Sequence, residues 1–381
     1  MRRRRERHIE SPQGLVVVAT AATLRRNVKG ERFFPAFDPG RREAFVGSMV
    51  AEADAAFGAL NLPHTRVDSI STIGDMLMCD TAQSSGIVPE FVLPSGDRAG
   101  FVLEGDENST VACHYIPSQC AITCGIEDHF QLKCAVPTFD PEGVWNKLDA
   151  LDSALGERVE YAFRRDIGYL TSNPQLSGTG LQMSVYVLPI GLEMLNAAEE
   201  TMRDLRRRGC VFDQSGSVPG YFSGLCKVSY DSAGGMSEIQ GARAFRRAIE
   251  ELIERELDAR DEFATDVSRP FLLDAFSRDL AILKNAYAIS SDEAIAKLWT
   301  VRAGLDAGYI TGVAPEDVEN VIGGIRSGLF VSSARNEKDA WDILSDIFSG
   351  DDDARDDAED DIDTIRADSL RGFLARAKVV E

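Results

Sequence analysis

Three consecutive titratable side chains, Glu127, Asp128 and His129, lie between cysteines at 120 and 124 and a further cysteine at 134. Thiols and imidazoles at short spacing are the material of zinc sites, and His114 and His129 flank the cysteines. The intervals match no usual zinc pattern, so Cys120, Cys124 and Cys134 read as buried structural thiols and no metal is expected. Glu127-Asp128-His129 reads either as part of a reactive centre or as a hydrogen-bonded structural cluster. A carboxylate with no cations around it has no evident substrate. Further along, "SGTGL" (177–181) sets two glycines in a turn, which alone is a weak sign of phosphate binding.

The elements that must hold these residues belong to a chain of 381 residues, more than one compact core usually serves. The expected layout is a basic disordered tail over 1–13, a mixed α/β domain over 14–258 and a helical domain over 259–381. Acidic residues outnumber basic ones, 62 to 41, for a net charge of −21. Such a surface repels phosphate backbones, so no nucleic-acid partner is expected and basic proteins suit it. No apolar run reaches membrane-spanning length, and the residues after the basic start form no export signal. With seven cysteines, an odd number, a cytoplasmic home with reduced thiols follows.

"GLVVVATAATL" (Gly14–Leu24) predicts a buried strand, and Arg42–Leu60 has helical spacing. "AGFVLEG", "STVACHYI" and "FQLKCAV" predict neighbouring antiparallel strands. "PEGVWNKLDALDSALGERVEYAF" predicts one long amphipathic helix with Val144, Leu148, Leu151 and Leu155 inside. "LQMSVYVLPI" and "CKVSYD" predict strands, and "GLEMLNAAEETMRDLRRRG" a helix stopped by Gly209. The helix "EIQGARAFRRAIEELIERELDAR" buries Phe245, Ile249, Leu252, Ile253 and Leu257. A capping box, Ser290 to Glu293, opens another. "SGDDDARDDAEDDID" (Ser349–Asp363) predicts a solvated acidic loop.

The order "LDALDSALGERVEYAF--DIGYLTSNP---GTGL" resembles the phosphagen (guanidino) kinase family, in particular the bacterial protein-arginine kinases. "GIEDHFQL" (125–132), "LRRNVKGERFFPAF" (24–37) and "GGMSE" (234–238) are similar to further family motifs. "ILKNAYAISSDEAIAKLWTVRAGLDAGYITGV" (282–313) resembles the C-terminal domain of the protein-arginine kinases. The resemblance implies an α/β (α+β) fold, a large antiparallel sheet flanked by helices plus a C-terminal helical domain. It also implies transfer of the ATP γ-phosphoryl group to protein arginine, with dimerisation and phospho-arginine recognition in the last domain.

Phosphoryl transfer demands cationic groups on the phosphates and an oriented acceptor. The resemblance assigns the main catalytic carboxylate to Glu127. It assigns phosphate-binding arginines to four positions occupied here by Ala21, Thr23, Gln131 and Gln182. Asn173 stands for the family's cysteine, and Ser217, by ungapped alignment, for a loop glutamate. "IDTIRA" (362–367) resembles the phospho-arginine motif, with Asp363 and Arg366 matching and Ile362 replacing the leading arginine. Amides hydrogen-bond to phosphate but do not neutralise it.

The expected function is therefore a pseudokinase without cofactor, a regulatory or binding subunit and homodimer. Its partner would be an arginine-rich or phospho-arginine protein, or an active homologue. An alternative is an active Mg-ATP-dependent kinase whose lost charge comes from Arg25, Arg26, Arg206, Arg207 and Arg208. A second alternative is a structural dimerisation protein without ligand.

Overall fold

The computed structural model describes residues 16–33, 39–62, 65–67, 112–116, 120–125, 128–136, 138–195, 197–213, 226–231, 235–263, 269–324 and 352–380. The basic tail, "AGFVLEG", Glu127 and Ser217 lie outside the described residues.

An eight-stranded sheet organises the first part of the chain. Its strands are β1 (Val17–Arg26), β2 (Thr65–Val67), β3 (Ala112–Ile116), β4 (Cys120–Cys124), β5 (Phe130–Val136), β8 (Leu181–Val187), β9 (Cys210–Asp213) and β10 (Cys226–Asp231). A small hairpin, β6 (Phe163–Arg164) with β7 (Gly168–Tyr169), lies outside it. The spatial order is β2-β3-β4-β5-β1-β8-β10-β9, and every pairing is antiparallel. The apolar, β-branched β1 sits inside the sheet because both its edges are paired.

Side chains alternate across a strand, so β1 has two characters. Ala22 and Leu24 enter a core with Leu132, Met183 and Val228, under helices α1 (Pro39–Ala59), α2 (Pro141–Gly156), α4 (Ala198–Arg206) and α5 (Glu238–Phe263). Each Leu or Phe buried there contributes about 1.5–3 kcal/mol. Ala21 joins a second core instead. That core holds Ala135 and Tyr186 from the sheet and the inner faces of α6 (Arg269–Asn285), α7 (Ser291–Asp306), α8 (Pro315–Gly324) and α9 (Asp352–Phe373). Ser290 caps α7 by accepting from the Glu293 amide. No helix of the described residues is long and apolar enough to cross a membrane.

Three local expectations are corrected. The helix predicted from Pro141 stops at Gly156. Beyond it the chain bonds to the end of β1, with Lys29 N donating to Glu160 O and Ala162 N to Asn27 O, so tertiary pairing overrides helical periodicity. The helix predicted from Gly191 is two, α3 (Ile190–Met194) and α4. The buried Glu256 carboxylate accepts the Gly191 and Leu192 amides at 2.8 and 2.9 Å and fixes the first turn separately. The acidic loop is helical from Asp352 onward. Ala367 and Leu370 anchor α9 in the second core, and helix extends from an anchored segment more readily than it nucleates. Seven of its nine acidic residues fall in the N-terminal half and Arg371 in the last turn, which suits the helix dipole.

Candidate functional site

The sheet face opposite the α1–α2 helices carries the positions to which the resemblance assigns phosphate. Ala21, Thr23 and Arg25 share that face. Thr23 lies opposite Lys133 on β5 and Gln182 on β8, and Gln182 lies opposite Asp231 on β10. Arg25 lies opposite Gln131. The two-residue period and the strand order thus bring four sequence-predicted positions, Ala21, Thr23, Gln131 and Gln182, onto one surface.

These side chains bond mainly to one another. Gln182 Nε2 donates to Asp231 Oδ1 at 2.8 Å, and Arg25 Nη2 approaches Gln182 Oε1 at 3.4 Å. The Ser184 and Ser229 hydroxyls pair at 3.1 Å. Arg25 Nε meets Asp128 Oδ2 as an ion pair at 3.9 Å, and among the described residues those two atoms have no hydrogen-bond partner. Thr23 and Gln131 are buried. Ala21 is packed with Ala135 opposite it, inside the second core.

The other face of β1 holds a second polar network. Arg26 is 1% exposed. Its guanidinium grips Asp152 through Nε and Nη2, at 2.8 Å for the shortest bond, and donates to Thr179 O at 2.8 Å. Glu238 stands 3.9 Å away, and the guanidinium carbon lies 3.6 Å from the Tyr169 ring centroid. Gly180 makes room for this: a Cβ there would meet Arg25 O at 2.6 Å, and its φ is +69°.

Asp128 and His129 are fully buried. Asp128 Oδ1 accepts from Asn27 Nδ2 and from the Ser172 amide, at 2.6 and 2.7 Å. Asn27 Oδ1 accepts the His129 amide. His129 Nδ1 accepts from the Val28 amide at 2.8 Å, so the proton resides on Nε2 and is donated to Arg32 O. The pair ties β1, the turn before β5 and the 170–172 segment together, which is the structural alternative for this cluster. Both ring nitrogens being engaged, His129 has no lone pair left for a metal.

Burial holds the His129 pKa below the usual imidazole value, against the opposing Arg32 carbonyl bond and Asp128 charge. The folded chain thus resists a proton that the unfolded chain accepts. This stabilisation is complete above the unfolded value of about 6.5 and is lost as pH falls below it, by up to about 1.4 kcal/mol per pH unit. Urea unfolding at pH 7.5 and 5.5 is expected to show a steeper loss for the native chain than for His129→Gln. Equal losses would refute the assignment.

Asn173 is exposed, and its Oδ1 caps a short 3-10 turn, Pro174–Leu176, by accepting from the Gln175 amide at 3.0 Å. Asp363 and Arg366 share the start of the described side chains of α9. Arg366 is 1% exposed and bonds to Asp363 and to Ile289 O, which fastens α9 to the segment before α7.

Asp231 and Ser229 were invisible to sequence reasoning as members of this surface, because only the β8–β10 register places them there. Arg25 carried a usable signal, the alternation from Ala21 through Thr23. The other cations proposed to restore charge are engaged elsewhere: Arg26 faces the core, Arg206 lies over the Phe212 ring, Arg207 pairs with Asp204 and Arg208 with Glu251.

Comparison with known proteins bears on this surface. Residues 101–259 match the model of the ATP:guanido phosphotransferase C-terminal catalytic domain, and residues 269–341 match that of the protein-arginine kinase McsB C-terminal domain. A protein-arginine kinase of Halothermothrix orenii is 26% identical over 305 residues, 80% of this chain and 82% of its own. One of Exiguobacterium sp. is 29% identical over 314 residues, covering 82% and 85%. The duplicated taurocyamine kinase from Schistosoma mansoni with bound transition state analog components superposes at a TM-score of 0.52 and 16% identity, over 72% of this chain and 39% of that one. At that identity the likeness is one of fold, and the fold is that of the guanidino kinases.

Proposed function

We propose a pseudokinase, on the premise that the chain belongs to the ATP:guanido phosphotransferase family, in its protein-arginine-kinase branch. One observation carries the reading. The residues that match family motifs and are described, Arg26, Asn27, Asp128, His129, Thr179 and Glu238, form or border the internal networks that hold the fold. The phosphate-assigned positions carry no cation, and one of them, Ala21, is apolar packing.

Removing one guanidinium from a phosphoryl-transfer site costs on the order of 10³-fold or more. Such losses are not additive, yet four substituted positions leave negligible transfer even after heavy discounting. Arg25 and Lys133 are the described cations opposite phosphate-assigned positions, and Gln182 and Asp128 already engage Arg25. These residues do not fit a triphosphate.

A chain that keeps the fold without the transfer acts through binding, as a cytoplasmic regulatory subunit. Its net charge of −21 favours arginine-rich protein segments, or pairing with an active homologue through the helical C-terminal part. Calorimetric titration with Mg-ATP tests the reading without knowledge of an acceptor. No binding up to millimolar nucleotide is expected. Micromolar binding would instead support the active, rebuilt kinase, and an assay for acid-labile phospho-arginine would follow.

A further inference from the structure

Cys120 and Cys134 face each other directly across the β4–β5 pair. Opposed antiparallel residues have Cα atoms about 4.5–5.5 Å apart, inside the roughly 4.4–6.8 Å span of a disulfide. Both side chains point into the first core, at 6% and 1% exposure, and both are free thiols. Cys124, on the same strand face as Cys120, has Phe130 opposite it and not a cysteine. The register therefore singles out one pair.

We infer that Cys120 and Cys134 are a reversible oxidation site, closing to a cross-strand disulfide when the chain meets a hydroperoxide. The Cys134 S–H bond and the Lys147 ammonium favour the Cys120 thiolate, and burial opposes it less strongly, so its pKa lies below the ordinary thiol value. Cys134 is pushed up, first by its bond to Cys120 and then by burial. Cys120, the more exposed of the two at 6% against 1%, is the attacking sulfur and Cys134 the resolving one.

The Cys120 thiolate attacks a peroxide oxygen. The O–O bond breaks, and hydroxide leaves to take up the proton the thiol gave, forming water. The product is a sulfenic acid at Cys120. The Cys134 sulfur then attacks the Cys120 sulfur, the S–O bond breaks, and a second water departs with the Cys134 proton. Two thiols lose two electrons, and hydrogen peroxide becomes two waters. The new bond pins β4, which ends at Cys124, to β5, which begins at Phe130. It fixes the β4–β5 register, in which Gln131 on the far face lies opposite Thr123. None of this depends on whether the chain transfers phosphate.

The test is peptide mapping of the full chain after hydrogen peroxide, with alkylation under denaturing conditions and no reduction. The expected result is a linked Cys120–Cys134 peptide and loss of two of the seven alkylatable thiols, both reversed by dithiothreitol. In Cys134→Ser, dimedone is expected to trap a sulfenic acid at Cys120. The wild-type map decides the matter even if that variant fails to fold. Seven alkylated thiols, a link between any other pair, or irreversible oxidation of Cys120 without a link would each overturn the inference.

Discussion

Arg26→Met is expected to destabilise the chain by about 3–5 kcal/mol, read as a fall in the urea midpoint at unchanged slope. The side chain it removes is almost wholly buried and neutralises Asp152, itself 9% exposed, with Glu238 close by. Methionine fills similar length but leaves Asp152 without its cation and Thr179 O without its donor. The loss arises from that abandoned charge more than from the bond itself, since an ion pair made in the interior first spends heavily on dehydration. Arg26→Met combined with Asp152→Leu should therefore regain much of the loss. Arg26→Lys keeps the charge but not the fork that meets Asp152 twice, nor the planar stacking on Tyr169 at 3.6 Å, and should fall between. If the double variant were no better than Arg26→Met, packing and not charge would be the cause.

Much of this scaffold was legible from residue order. The strand at Gly14–Leu24, the helix at Arg42–Leu60 and the Ser290 cap are local, carried by periodicity and hydrogen bonds within a few residues. The misread elements were those governed from a distance. Helix α2 ends early because the chain after Gly156 bonds to residues 27–29, over a hundred positions away in sequence. The acidic stretch folds because Ala367 and Leu370, downstream of it, are anchored. The site divides in the same manner. Alignment with family motifs found Ala21, Thr23, Gln131 and Gln182, and the register put them on one surface. That Arg25 belongs to this surface and Arg26 to the opposite one follows from strand alternation alone. That Gln182 is held by Asp231 follows only from which strand lies next to β8.

Ala21→Arg is expected to cost roughly 3 kcal/mol or more and to leave the chain unable to bind Mg-ATP. Ala21 is 3% exposed, opposite Ala135 and Ser184, in the core shared with the C-terminal helices. A guanidinium there would lose its hydration with no carboxylate opposite it on either neighbouring strand. Gln182→Arg is a different case. The position is half-buried and already bonds to Asp231, so an arginine would exchange an amide contact for a charge-assisted one and should shift stability by no more than about 1 kcal/mol. The two positions carry the same family assignment, yet one has closed into packing and the other remains convertible. On the pseudokinase reading, building a nucleotide site here requires opening the second core as well as exchanging side chains on the sheet face. Thermal unfolding and Mg-ATP titration of both variants separate the cases. Ala21→Arg with native stability and measurable nucleotide affinity would show that the cleft was never closed, and the pseudokinase reading would fall with it.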